Sequence, residues 1–250
     1  MKREFSQSQP ELMDVAEPGS PELEESLRNL ASMNRHFGAH RLIRRFLKAW
    51  FAPGETYRVL DLATGAGDIP RMMLEWGQPR GIRFEIDAVD ANPATIEVAR
   101  KMTPYPQVNW IAADALTYGP GRTYDLVCCS LALHHFAQAD AVRLLRRCQR
   151  LSHRFTLVAD LERSPLNYFC IWLVTALIYR DPITRHDGLI SAKRAFSYDE
   201  LAELASEAGW EVFEQCRFPP CRQAIWMVTD DLGDIPAPVL EEVAPLPCPT

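Results

Sequence analysis

The stretch Val59-Leu60-Asp61-Leu62-Ala63-Thr64-Gly65-Ala66-Gly67-Asp68-Ile69-Pro70 constrains this chain more than any other part of it. An apolar run rises into an acid, breaks at two glycines and re-enters a helical pattern through Pro70. That order reads as a strand, a tight turn and a helix N-terminus. Without a Cβ at Gly65 and Gly67, a ligand can lie directly against the backbone. Asp61 falls at the strand's carboxyl end, where open α/β sheets bind their ligands.

Two common occupants of such loops fit poorly. A dinucleotide fingerprint needs a third small residue three positions after the second glycine. That position is Pro70, which suits a first helical turn but has no N–H for a pyrophosphate. A phosphate-binding P-loop needs Gly-Lys-Ser/Thr, which this segment lacks. A loop short of donors and preceded by Asp61 suits a cationic amino-acid ligand.

The same strand-then-helix rhythm continues. Residues 21–52 give two helices, with Leu23, Leu27, Leu30 and Met33 at helical spacing in the first. Phe84 to Asp90 alternates as a second strand, and Asn92-Pro93 caps the next helix. Val108–Ala112, Tyr124–Ser130 and Phe155–Ala159 read as further strands. Ser197-Tyr198-Asp199-Glu200 has the form of a capping box, and strands near 211–217 and 223–229 close the pattern. The expected fold is an α/β, Rossmann-like, seven-stranded, mostly parallel sheet, with an N-terminal helical cap over 21–52 and a helical insertion over 164–196 after strand five.

At 250 residues the chain suits one decorated domain, expected over 21–229. Residues 1–20 read as a disordered tail. Residues 230–250 hold five acids, five prolines and no base, and read as a second loose end. That end accounts for most of the formal charge of −6, so the domain before it is near neutral and poorly suited to nucleic acid. Seven scattered cysteines form no C-x-x-C pair, which argues against zinc and for reduced thiols in a cytoplasm. The apolar run 166–179 has 14 residues where a bilayer crossing takes about 20. It reads as a buried helix or a lid over a pocket, with peripheral membrane contact as the most it could support.

The glycine loop resembles motif I of the class I S-adenosylmethionine-dependent methyltransferases, and later segments extend the likeness. Its wording is similar to that of the quinone-pathway C-methyltransferases of the ubiquinone and menaquinone type, over roughly residues 30–230. The resemblance implies S-adenosylmethionine as cofactor and S-adenosylhomocysteine as product. It places Asp61, Ala63, Gly65, Ala66 and Gly67 along the methionine and ribose side, Asp61 holding the ammonium. Asp90 lies about 20 residues past the loop, where such folds set an acid against ribose hydroxyls, with Ala91 beside it. Asp114 and Ala115 would meet the adenine, and Ser130 and Leu131 would close the site at strand four. Met33-Asn34-Arg35-His36-Phe37-Gly38-Ala39-His40-Arg41 resembles the cap that closes over the cofactor in those enzymes. It puts Arg41 near the cofactor and Asn34, Phe37 and His40 near the acceptor.

Where those quinone enzymes carry an Arg-Asn pair after strand four, this chain has His134-His135. A phenol or enol gains nucleophilicity when a base takes its proton, and imidazole titrates near neutral pH. Both histidines are therefore candidate catalytic bases, and packing or helix capping is the alternative. Tyr168, Phe169, Trp172 and Tyr179 could line an aromatic or lipid-like acceptor site, and Arg185, His186 and Asp187 could bind a carboxylate or polarised hydroxyl. The expected function is methylation, at oxygen or carbon, of a small, fairly apolar phenolic, quinol or polyketide-like acceptor, by a monomer or homodimer without a metal. A non-catalytic cofactor-binding sensor on the same fold is the other reading.

Overall fold

The computed structural model describes residues 1–6, 9–15, 17, 19–179 and 181–229. The acidic segment 230–250 lies outside them. Seven strands form one sheet: β1 (Thr56–Leu62), β2 (Arg83–Asp90), β3 (Val108–Ala112), β4 (Tyr124–Ser130), β5 (Ser152–Leu161), β6 (Glu214–Phe218) and β7 (Arg222–Val228). Their order is β3-β2-β1-β4-β5-β7-β6, with β1 to β5 parallel and β7 antiparallel to both neighbours. Strand order reverses between β1 and β4, where Asp61 pairs with Cys128. The carboxyl ends of those two strands therefore open the crevice that such sheets use for ligands.

Helices α1 (Pro21–His36) and α2 (Ala39–Trp50) form the cap, and α3 (Asp68–Gly77), α4 (Pro93–Met102) and α5 (Gln138–Leu151) are the crossovers. The insertion after β5 holds α6 (Pro165–Leu177) and α7 (Pro182–Arg194), and α8 (Tyr198–Glu207) leads into the last two strands. Local chemistry starts several of these. Ser20 accepts the Leu23 N–H and is followed by proline, Asn92 caps α4, and Ser197 with Glu200 makes a reciprocal capping box on α8.

One face of the sheet packs under α2 and α3, where Trp50 stacks on Phe155 at 4.6 Å between ring centroids. The other face buries Leu144, Leu145, Leu201 and Trp210. A smaller cluster of Leu23, Leu27 and Ala31 seats α1 on Ala66 and Val98, which brings the cap onto the glycine loop. Gly67, at φ +68°, faces β3 and α4 instead, and a Cβ there would collide with the Trp110 ring and crowd Ala99. Gly67→Ala is expected to destabilise the fold by about 2–4 kcal/mol, from overpacking and the left-handed backbone together. A urea midpoint unchanged from the parent would refute this.

Residues 1–6 and 9–15 make contacts that a loose tail would not. Arg3 donates to the carbonyls of Arg194 and Phe136 and lies over the Phe196 ring, with the guanidinium carbon 3.8 Å from the centroid. The Glu4 N–H donates to Lys193, and Leu12 and Met13 donate their N–H groups to the Asp187 carboxylate. Most of these partners, Asp187, Lys193 and Arg194, belong to α7. The apolar run is α6, and it is neither wholly buried nor wholly a lid. Cys170, Ile171 and Val174 face a cavity, while Leu166, Phe169, Trp172 and Leu177 are exposed. Among the described residues no helix is long and apolar enough to cross a membrane.

Candidate functional site

Two adjoining cavities open at the carboxyl ends of β1 and β4. Met13, Leu30, Asn34, Leu131 and His135 belong to the walls of both. Ala63 and Leu131 hold left-handed backbones at φ 56° after β1 and β4, and Cys221 does so at φ 60°. These are the three non-glycine residues of positive φ among those described, and all three line a cavity. Such strain persists where surrounding structure over-determines it, typically at binding sites.

The first cavity follows the glycine loop. Asp61 is buried, accepts a 2.6 Å hydrogen bond from the Thr64 hydroxyl, and is pushed up to about pKa 7 by burial, with Asp68 and Asp90 adding repulsion. Asp90 receives the N–H of Gly65 at 2.9 Å and that of Asn92 at 3.0 Å, which locks the loop to the end of β2. Burial raises its carboxyl as well. Asp14, Asp68 and Asp114 complete an acidic lining that contains no lysine or arginine. A cavity of this charge pattern selects for a cation and against phosphate.

The second cavity lies under α1, α6 and α7 and is mostly apolar. Its polar wall is built around His134. The ring Nδ1 lies 2.6 Å from Asp160 Oδ1, and the backbone N–H of His134 donates to Asp160 Oδ2 at 2.9 Å. Because the carboxylate can only accept, Nδ1 carries a hydrogen, which leaves Nε2 as the ring nitrogen not held by Asp160. Burial works against the Asp160 charge, but His134 and the N–H donors outweigh it and hold the carboxyl below its ordinary value. Glu11 reaches this wall from the N-terminal segment. Its two oxygens lie 3.9 Å from His134 Nε2 and 3.8 Å from His135 Nε2, and Ser191 donates to one of them at 2.6 Å. Burial disfavours a charge on His135, yet Glu11 and Asp14 prevail and hold it at about pKa 9. His135 is accordingly a cation at neutral pH, and His134 is the ring whose orientation Asp160 fixes.

Sequence spacing argued against a metal, but the fold gathers Glu11, His134 and His135 with ligand-type atoms within 4.8 Å of one another. Glu11 is already engaged by Ser191 and lies 3.9 Å from the Arg194 guanidinium, so its charge has local partners.

Of the residues expected on the cofactor side, Asp61, Ala63, Gly65, Ala66, Asp90, Ala91, Asp114, Ala115, Ser130 and Leu131 line the first cavity. Gly67 does not, because it faces Trp110. Arg41 also lies elsewhere: it donates to the Pro219 carbonyl and sits over the Phe218 ring. Asn34 and Phe37 line the second cavity, but His40 is one layer back, with Nε2 2.7 Å from buried Asp68. Tyr168 and Trp172 fall on the wrong face of α6, where Trp172 stacks with exposed Phe169. Arg185 and His186 are exposed on α7, and their neighbours Thr184, Asp187, Gly188 and Ser191 turn inward.

Among the charged residues that escaped sequence reasoning are Glu11, Asp68, Asp160 and Arg222. Asp160 and Asp68 had a signal, being acids at a strand's carboxyl end and at the start of the helix after the glycine loop. Glu11 and Arg222 had none, since each enters the site from a distant part of the chain.

Residues 59–154 match a family model described as a methyltransferase domain. The chain is 27% identical to a demethylmenaquinone methyltransferase of Thermotoga maritima, over 62% of this chain and 70% of that one. It is 25% identical to a 2-phytyl-1,4-naphtoquinone methyltransferase of Thermosynechococcus vestitus, over 70% and 81%. Among solved structures it superposes on a plantazolicin methyltransferase crystallised with a desmethyl analogue and S-adenosylhomocysteine, with TM-score 0.64, 14% identity and coverage of 84% and 91%. Human N-acetylserotonin methyltransferase with S-adenosylmethionine gives TM-score 0.59 and 18% identity over 82% of this chain, which spans 55% of that enzyme.

Proposed function

We propose that this chain, a class I S-adenosylmethionine-dependent methyltransferase related to the quinone methyltransferases, methylates, at oxygen or carbon, a small, fairly apolar acceptor that carries an acidic hydroxyl, in a cytoplasm. The observation that carries the choice of a hydroxylated acceptor is the His134–Asp160 pair in the wall of the second cavity.

The first cavity fits the cofactor on its own chemistry. Its lining sets five acids against one cationic side chain, His135, and it includes a buried carboxyl in need of a positive partner. Asp61 would hold the ammonium, Asp90 the ribose hydroxyls, and Asp114 with Ala115 the adenine. The bound cofactor supplies an electrophilic methyl group on a sulfonium. The remaining work falls to the chain's own side chains. Leu131 and His135, shared by the two cavities, set where donor and acceptor meet, and alignment of the two is the larger part of such a reaction. His134 takes the acceptor's proton at Nε2, while Asp160 fixes the tautomer and stabilises the imidazolium that forms. His135, already charged, would stabilise a developing oxyanion rather than remove a proton. The apolar walls from α1 and α6 exclude water. Phenols, quinols and polyketide-like rings are the acceptors to screen first, in keeping with the quinone names of the relatives.

Titration calorimetry from pH 5.5 to 8.5 with S-adenosylmethionine, S-adenosylhomocysteine and NAD tests this reading. A carboxyl raised to about 7 is protonated in the unliganded protein below that pH and must release its proton to pair with the ammonium. Affinity for both sulfur ligands should therefore rise with pH, by up to about tenfold per unit, and level off near pH 7. Asp61→Asn should flatten the profile. Binding of NAD alone would sink the proposal, and a flat profile in the parent protein would remove Asp61 from it.

A further inference from the structure

Arg222 opens β7 and is buried in the wall of the second cavity, beside Phe37, Pro220 and Cys221. Its Nε donates to the Phe37 carbonyl at 2.8 Å, tying the end of the cap helix to the sheet. Its Nη1 has no hydrogen-bond partner among the described residues, although the atom is shut away from solvent. Buried charges are ordinarily paired and hydrogen-bonded, and an arginine especially so. The buried or half-buried arginines elsewhere near this site obey the rule. Arg3 and Arg194 spend their donors on backbone carbonyls, and Arg163 forms a two-pronged pair with Glu200.

The carboxylates facing Arg222 are already taken. Asp160 holds His134 and the Leu161 N–H, and Asp68 holds His40 and Asn34. They act on Arg222 through space without a hydrogen bond, and Asp160, the Cys221 thiol and Asp68 offset part of what burial removes. The guanidinium is lowered to about 10, chiefly by burial, and so remains charged at neutral pH.

We propose that Arg222 is an acceptor-binding residue that receives a carboxylate of the substrate, so that the enzyme methylates a hydroxylated acid rather than a neutral ring. The inference deepens the methyl-transfer reading and rests on it. It also gives the cavity two recognition points: an anion held at Arg222 beside Phe37, and a hydroxyl offered to His134. The carboxylate role expected of Arg185 passes to an arginine that the fold keeps inside.

The test uses the full-length protein saturated with S-adenosylhomocysteine. Benzoate, cinnamate and hexanoate are titrated against their matched amides, which keep shape and lose charge. At least one acid should bind tenfold or more tightly than its amide, and Arg222→Gln should erase the difference while Arg222→Lys retains part of it. No acid preference in the parent protein, or a preference that survives Arg222→Gln, overturns the inference. Should Arg222→Gln fail to fold, the parent's acid–amide ratio and the Arg222→Lys ratio decide: a ratio of one in both refutes it. Failure to take up S-adenosylhomocysteine is a different result, and it removes the methyl-transfer reading itself.

Discussion

His134→Gln is expected to lower kcat by about 10²–10⁴-fold, the usual contribution of a positioned general base, and to leave cofactor affinity within about twofold. The separation follows from geometry, because His134 lines the acceptor cavity and not the cofactor cavity. Asp160→Asn should act in the same direction by a different route. The amide can present its N–H to Nδ1, which turns the ring to the tautomer whose Nε2 already carries a hydrogen. Both variants disturb a buried pair, so thermal melts with and without S-adenosylhomocysteine must accompany the kinetics. His134→Gln with less than about fivefold loss in a folded protein would show that the ring only packs. The assignment of a base would then have to leave this wall, since the carboxylates hold His135 as a cation.

Removing residues 1–15 should be nearly as damaging, lowering kcat by about 10²-fold, the scale expected when reacting groups lose their placement. The segment contributes Glu11 to the acceptor cavity, Asp14 to the cofactor cavity and Met13 to both. The substitution Glu11→Gln isolates the charge from the packing. It should lower activity about tenfold and move the His135 titration midpoint down from about 9, readable by NMR. Asp14, 3.7 Å from His135 Nδ1, would keep part of the shift. A truncated protein with parental turnover would mean that the segment merely covers a site complete without it.

How far the sequence could be read depended on the range over which each feature is encoded. The glycine loop, Asp90 and Asp114 were legible because strand, turn and helix start are written within a dozen residues each. The caps at Asn92 and Ser197 were legible for the same reason. The insertion was legible only as an apolar helix. Tyr168 and Trp172 are one turn apart, and so are Cys170 and Val174; a helix hydrophobic nearly all round gives no moment to tell the two faces apart. The cap motif located its helices correctly, but His40 and Arg41 point respectively to Asp68 and the Pro219 carbonyl. A resemblance transfers position along the chain more safely than it transfers side-chain direction.

By itself, then, the sequence determined the mostly parallel α/β architecture, the ligand site at the carboxyl end of β1, and the acidic character of the pocket beside the glycine loop. Those follow from periodicity, turn chemistry and strand-end acids, all of which act between near neighbours. Tertiary structure alone decided that Glu11 faces His135, that Asp160 orients His134, and that Arg222 is buried with a nitrogen unpaired. Each of those contacts joins residues brought together by sheet order and helix docking, with separations of 124, 26 and 185 residues for Glu11–His135, Asp160–His134 and Arg222–Phe37. No local pattern encodes such a pairing, because the free energy that enforces it comes from burying the apolar faces of the whole domain and not from the residues that meet.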